Sequence, residues 1–225
     1  MEERPVEERL KEVEQRAKQC TACHLATTRT QVVFGEGNPR SPLVLVGEGP
    51  GEQEDLTGRP FVGRAGALLD RALREAGMGR QHVYICNIIK CRAYTIENGR
   101  ARNRPPNQEE IAACAPWLDA QLTLIQPLVI VCLGGPAASV IIHKNFRITQ
   151  ERGQWFSSRW APAAIATLHP AYILRQAGPT FDRAYALLVE DLKAARARVI
   201  ELKQQQRQQQ PPIPPTSEEQ QLSLF

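Results

Sequence analysis

The sequence predicts an α/β fold: a three-layer α/β/α arrangement around a central, mainly parallel four-stranded sheet. Two observations carry this expectation. Four near-continuous apolar runs, LVLVG (43–47), VYICNIIK (83–90), PLVIVCLGG (127–135) and AAIATLHP (163–170), have strand length and little polar alternation, as strands buried on both faces do. Between them lie amphipathic stretches of helical length, and strands alternating with helices imply a parallel sheet covered above and below.

The helices are read one by one. Residues 6–19 combine helical spacing with many charges. AGALLDRALREAG (65–77) is a helix closed by Gly77, because glycine tolerates the left-handed turn that stops a helix. NQEEIAACAPWLDAQLTLIQ (107–126) takes Asn107 as its N-cap, and PAASVIIH (136–143) begins with proline at the first helical position. A small hairpin is expected over 147–158, and FDRAYALLVEDLKAARARVIELKQQ (181–205) forms the long last helix.

Composition sets the domain plan. A chain of 225 residues with 42% hydrophobic content is enough for one domain with a proper core. That domain is placed at 1–203. Residues 204–219 are rich in Gln and Pro and nearly free of apolar side chains, so a disordered tether is expected there. The apolar peptide QQLSLF (220–225) follows. No apolar run approaches the roughly 18–20 residues that cross a bilayer, and the charged start MEERPVEERLKEVEQRAKQ lacks the apolar stretch of a secretory signal. A cytoplasmic monomer with no membrane partner is expected. The net charge of +4 leans only mildly towards polyanions. Arg92, Arg100, Arg102 and Arg104 crowd one segment with Glu97 as the neighbouring acid, and Lys144, Arg147, Arg152 and Arg159 populate a second. Solvated loops and a nucleic-acid face are equally good readings of both.

Six cysteines stand at 20, 23, 86, 91, 114 and 132. Cys86 and Cys132 lie inside apolar strands and read as core. Cys20, Cys23, Cys91 and Cys114 lie at element edges, and a structural disulfide is not expected in a reducing compartment. Four thiolates close a tetrahedral zinc site or hold an iron–sulfur cluster, while the CxxC by itself admits a redox motif. Spacing leaves the choice open.

The loop GEGPGEQED (47–55) is glycine-rich like a phosphate cradle, yet it is crowded with carboxylates that repel an anion. It has neither the GxGxxG register nor a GK[ST] ending. Phe61 follows it, suited to the core or to stacking on a base. Asn87 interrupts an apolar strand, and a buried amide needs partners. His169 ends the fourth strand. Ligands of open α/β sheets bind at the carboxyl ends of the strands, where the Gly47 loop, the Asn87 region and His169 gather.

Taken together, GEGPGEQEDLTGRPFVGRAG, NIIKCR, NRPPNQEEIAAC and LHPAYILR resemble the family-4, iron–sulfur branch of the uracil-DNA glycosylases, in order from about Cys20 to Arg175. The resemblance implies the superfamily's α/β/α sandwich and excision of uracil from DNA, leaving an abasic site. It implies a 4Fe–4S cluster on Cys20, Cys23, Cys91 and Cys114. Glu48, Gly49, Pro50 and Gly51 match the motif lining the uracil pocket and the water site, and Glu54 and Asp55 its acidic end. Phe61 matches the ring that stacks on the extruded base, Asn87 the amide that reads its edge and His169 the donor to the departing uracil. Pro170 to Arg175 match a loop that enters the DNA, and Asn103 the family's short loop. Glu54 is expected to orient the water. Two departures stand out: an insertion, roughly YTIENGRA, precedes Asn103, and the segment RARNRPP lacks the histidine of relatives that trap uracil-DNA covalently. The end of the chain resembles the peptides by which repair proteins dock on the sliding clamp, with Gln221 making polar contacts and Leu222, Leu224 and Phe225 filling an apolar cleft.

Overall fold

The computed structural model describes residues 4–209. Residues 210–219 of the expected tether and the 220–225 peptide, with Gln221, Leu222, Leu224 and Phe225, lie outside the described residues. In chain order the elements are α1 (Val6–Lys18), α2 (Leu25–Thr28), β1 (Glu36–Gly37), β2 (Leu43–Gly47), α3 (Glu52–Thr57), α4 (Arg64–Glu75), β3 (Tyr84–Asn87), β4 (Tyr94–Glu97) and β5 (Arg100–Asn103). They continue with α5 (Gln108–Ile125), β6 (Val129–Leu133), α6 (Gly135–Ile141), α7 (Ile148–Glu151), β7 (Trp155–Ser158), β8 (Ala161–Thr167), α8 (Pro170–Ile173) and α9 (Gly178–Gln209).

The main sheet has the order β1-β3-β2-β6-β8-β7. Its centre, β3-β2-β6-β8, is parallel and contains the four expected strands. Antiparallel β1 and β7 flank that centre, so the sheet has six strands, not four. The predicted hairpin over 147–158 resolves differently: α7 occupies its first half, and β7 pairs with β8. α9 runs to Gln209, so the first residues assigned to the tether continue the helix.

Alternation explains why the central strands read as unbroken apolar runs. Val44 and Val46 of β2 join one core, with Ile130 and Cys132 of β6 and Leu118 and Leu122 of α5. Leu43 and Leu45 join the other, with Val129 and Val131, Leu69 and Leu73 of α4, and Leu188 and Leu192 of α9. Both faces of each strand are therefore buried, giving the three layers. Cys86 and Cys132 are core residues, as expected. Asn107 caps α5, its side chain accepting from the Glu110 N–H at 2.8 Å. No helix among the described residues is long and apolar enough to cross a membrane.

Candidate active site

Parallel strands place their carboxyl ends on one edge, and the candidate residues collect there. Gly47 and Asn87 are neighbours in the β2–β3 ladder, Glu48 follows β2, and His169 lies two residues beyond β8. Glu48, Gly49, Pro50, Asn103, Arg104, His169, Tyr172 and Arg175 line a cleft of about 590 Å³. A second cavity of about 290 Å³ adjoins it and shares Gly49, Asn103 and His169 while adding Gly51, Glu54, Phe61 and Asn87. Of the non-cysteine residues expected from the sequence, Glu48, Gly49, Pro50, Gly51, Glu54, Phe61, Asn87, Asn103, His169 and Arg175 thus line one cavity or both, whereas Asp55 lines neither.

Three acids of the glycine loop divide into two roles. Glu54 accepts the Gly51 N–H at 3.1 Å on Oε2 and the Val62 and Gly63 N–H groups at 2.9 and 2.8 Å on Oε1. Asp55 is buried and accepts the Thr30 N–H at 3.0 Å. Both carboxylates stand in for missing backbone acceptors and pin the loop. Glu48 differs: among the described residues no donor reaches its carboxylate. Burial pushes its pKa up, while the Arg175 charge pulls the other way. Glu54, expected to orient the water, lines the second cavity with three of its acceptor positions taken by backbone amides, and Glu48 is the unengaged carboxylate of the cleft.

Phe61 is buried and holds a left-handed φ of +53°, a costly conformation for a side chain of this size. Arg80 holds it there. Its guanidinium donates to the Pro60 carbonyl at 3.1 Å and to the Phe61 carbonyl, and is itself fixed by Asp70 at 2.7 Å. The Phe61 ring and Asn87 both press on Gly47, where an added Cβ would sit 2.6 Å from Phe61 Cζ and 2.4 Å from Asn87 Oδ1. That loop glycine permits close packing between Phe61 and Asn87, so the space beside it is already filled. Asn87 is 1% exposed, and its Oδ1 is buried without a partner among the described residues. An orphaned buried acceptor is costly unless a ligand completes it. Lys90, fully buried, fixes the backbone behind it by donating from Nζ to the Asn87 carbonyl at 2.7 Å.

His169 is the N-cap of α8, and its Nδ1 accepts the Ala171 N–H at 3.1 Å. An N–H aimed at Nδ1 makes that nitrogen the acceptor, so the neutral ring carries its proton on Nε2. Burial, with the nearby Arg175 charge, lowers its pKa from 6.5 to about 4. The imidazole is neutral and a donor at neutral pH. Gly134, at φ +94° beside the His169 Cβ, makes room for it at the end of β6. Sequence reasoning missed Arg80 and Lys90. Neither carries a local signal, since each acts through a backbone carbonyl.

A family model described as "UDG: Uracil DNA glycosylase superfamily" matches residues 34–193. The chain belongs to the uracil-DNA glycosylase superfamily. It is 46% identical over 192 residues to a Type-4 uracil-DNA glycosylase of Thermotoga maritima, covering 85% of this chain and 95% of the relative. It is 38% identical over 203 residues to the Type-4 enzyme of Sulfurisphaera tokodaii, covering 87% of each. With that of Archaeoglobus fulgidus it shares 40% identity over 174 residues, covering 74% of this chain and 84% of the relative.

In this superfamily member a further cavity shares Ile89 with the cleft. Cys20, Cys23, Cys91 and Cys114 line one small cavity with Ala17, Val32, Ile89 and Trp117. The Lys90 N–H donates to Cys114 Sγ at 3.1 Å, and Arg29 Nη1 to Cys91 Sγ at 3.6 Å. Burial pushes the Cys114 thiol up to about 11 and raises Cys91 as well. Four convergent sulfurs, an apolar wall and N–H donors aimed at sulfur fit a thiolate-held metal cluster, whose positive charge would make up for the lost solvent.

Proposed function

We propose that this chain hydrolyses the N-glycosidic bond of deoxyuridine in DNA, releasing uracil and leaving an abasic site as the first step of base excision repair. The carrying observation is His169: with Nδ1 engaged by the Ala171 N–H, a neutral Nε2–H donor is held on a side chain that lines both cavities.

Uracil must leave the base stack before its bond is reached. In this reading the base enters beside Phe61, whose ring covers its face. Asn87 Oδ1 accepts the N3–H of uracil and its N–H₂ donates to O4. Cytosine presents the reverse pattern and leaves the orphaned acceptor uncompleted. As the C1′–N1 bond breaks, its electron pair moves to the base, and His169 Nε2–H bonds the oxygen where negative charge builds. Removal of such a donor costs about 10²–10³ in rate. The Glu48 carboxylate faces the cationic sugar and orients the water whose oxygen bonds C1′, taking up its proton. Gly49, Pro50 and Gly51 shape the wall, and Asn103 and Arg175 hold the flanking backbone. Glu54 supports catalysis by fixing the loop.

Cys20, Cys23, Cys91 and Cys114 would hold a 4Fe–4S cluster, which when bound supplies a structural cross-link. A brown protein with broad visible absorption is expected; a colourless zinc protein would contradict the assignment. A reduced thiol set suits a cytoplasmic monomer. Gln221, Leu222, Leu224 and Phe225 would dock on the sliding clamp and raise the local concentration of enzyme at the fork. Deleting 220–225 is expected to abolish clamp binding and spare cleavage of short oligonucleotides; undiminished clamp binding overturns this.

The decisive assay is release of free uracil from deoxyuridine in single strands and in U·G and U·A duplexes, with borohydride added in parallel. Free uracil, an alkali-labile site and no trapped adduct are expected. Tight DNA binding without uracil release would make the chain a cluster-bearing DNA-binding protein instead.

A further inference from the structure

β4 and β5 form a sheet of their own, outside the main sheet. In their register Tyr94 faces Asn103, Thr95 faces Arg102, Ile96 faces Ala101 and Glu97 faces Arg100. Opposed residues share a face, and faces alternate along a strand. Tyr94, Ile96, Ala101 and Asn103 therefore make one face, and Thr95, Glu97, Arg100 and Arg102 the other. The strands are joined through Asn98 and Gly99 at φ +51° and +72°, the paired left-handed turn that matches strand twist. This is a built ribbon.

Its root is fixed in the active site. Arg92 Nε donates to Asn103 Oδ1 at 2.7 Å, and the same guanidinium lies 5.0 Å from the centroid of the Tyr94 ring. The Arg104 N–H donates to the Ala93 carbonyl at 3.0 Å. Ala93, Asn103 and Arg104 line the cleft that holds Glu48 and His169. The apolar face of the ribbon thus continues outward from the cleft, and on it Ile96 is 65% exposed. Two strands alone are marginally stable in water, so an uncovered isoleucine on a braced ribbon points to something that covers it. On the other face Arg100 and Arg102 outnumber Glu97, which pairs with Arg102 at 3.3 Å.

We propose that the β4–β5 ribbon is a duplex-engaging arm, lying along the DNA beside the extruded nucleotide. Ile96 and Ala101 press on sugars and base edges, and Arg100 and Arg102 reach flanking phosphates. The inference rests on the glycosylase reading, which supplies the DNA in the cleft. Continuity with the cleft and the excess of arginine select DNA as the occupant. Size agrees: strands of this length extend about 13 Å at ~3.3 Å per residue, close to four base-pair steps. Grooves admit two-stranded ribbons, and apolar side chains wedge against base steps.

Three variants test the arm. In the first, residues 95–102 are replaced by Asn-Gly, which keeps Tyr94, Asn103 and the cleft. The second is Arg100→Ala with Arg102→Ala, and the third is Ile96→Ala. Duplex binding is measured by anisotropy across a salt series, and uracil release from a short single strand is followed in parallel. All three are expected to release uracil from the single strand at rates within about twofold of the parent, and the shortened variant to bind duplex about tenfold more weakly. The arginine pair should flatten the log K against log[salt] slope by about 2, each phosphate contact contributing about 0.9. Ile96→Ala should weaken duplex binding without changing that slope. Unchanged duplex affinity and slope in the shortened and arginine variants overturn the arm, even if the ribbon binds another macromolecule. Failure of the parent to release uracil would count against the glycosylase reading, while the anisotropy series still reads the arm.

Discussion

Gly47 shows how one residue ties recognition to packing. A methyl group there would meet both Asn87 Oδ1 and Phe61 Cζ well inside contact distance, so Gly47→Ala must move the Asn87 amide, the Phe61 ring or both. We expect a loss of about 1–3 kcal/mol from overpacking and a fall of about 10²-fold in kcat/KM. Thermal melts and single-turnover uracil release check the two effects separately. Titration gives a second prediction at this scale. Glu48 lies above the ordinary carboxylate value of 4.5, whereas His169 stays neutral down to about 4. As pH falls, Glu48 takes up its proton first, so the acid limb of kcat/KM should follow Glu48. Glu48→Gln should lower kcat by about 10²–10⁴-fold and remove that limb. Arg175 lowers both groups, so Arg175→Gln should shift the limb to higher pH; an unmoved limb would refute the assignment. The same histidine is linked to stability. The unfolded chain binds a proton near pH 6.5 that the folded chain refuses until about 4, so its contribution is complete above pH 6.5 and is lost as pH falls through that window. Asn87 and His169 were legible because a polar residue at the end of an apolar strand is conspicuous. The division of labour among Glu48, Glu54 and Asp55 was not, since sequence does not say which carboxylate has its lone pairs taken by amides.

At the scale of elements, the decisive piece is the start of α3. Gly51 is the N-cap, and the Glu54 side chain returns to its N–H while also holding Val62 and Gly63. One carboxylate thus ties α3 to the loop that sets Phe61. Glu54→Gln leaves a single good acceptor where two were used and turns an N–H₂ towards a backbone N–H. We expect a loss of about 1–3 kcal/mol, with kcat/KM reduced through a less ordered loop. Its acid limb should stay where it was, in contrast to Glu48→Gln. A pH profile of the two variants side by side distinguishes loop brace from water-orienting base, and a vanished limb in Glu54→Gln would restore Glu54 to the chemistry. The central strands and α1, α4, α5 and α9 were readable because burial on both sheet faces or on one helix face imposes a long, regular pattern. β1 has two residues and β7 alternates in exposure at the sheet edge. Their pairing comes from the neighbouring strand, with little sequence pattern to announce it. The β4–β5 ribbon was hidden in an insertion whose Asn-Gly turn was its one strong local signal.

For the whole molecule, the four cysteines do what no single element can. Cys20 and Cys23 follow α1, Cys91 follows β3, and Cys114 lies on α5, so a cluster among them would join the N-terminal segment, the segment after β3 and a core helix. α1 already packs on α5, but the sulfurs share a cavity with little else that is polar. Without a cationic centre they are two buried and two half-buried thiols around one cavity. A cross-link across such long loops is worth about 3–4 kcal/mol by loop-closure arguments, and each kcal/mol moves the melting temperature of a domain this size by about 2–4 °C. Cys114→Ala is therefore expected to bleach the visible absorption and lower Tm by about 10 °C. Hydrogen exchange should show protection lost mainly over α1 and α2, while amides of β2, β6 and β8 keep theirs, because the core that these strands share with α4 and α9 contains none of the four cysteines. Uracil release from a single strand, measured well below the new melting temperature, should persist at a reduced rate, since the cysteine cavity is joined to the cleft through side chains that the substitution leaves in place: Lys90 holds the Asn87 carbonyl, and Glu110 holds Arg104. Complete loss of activity in a folded variant would make the cluster part of the catalytic machinery, and an unchanged Tm would remove its role as a staple.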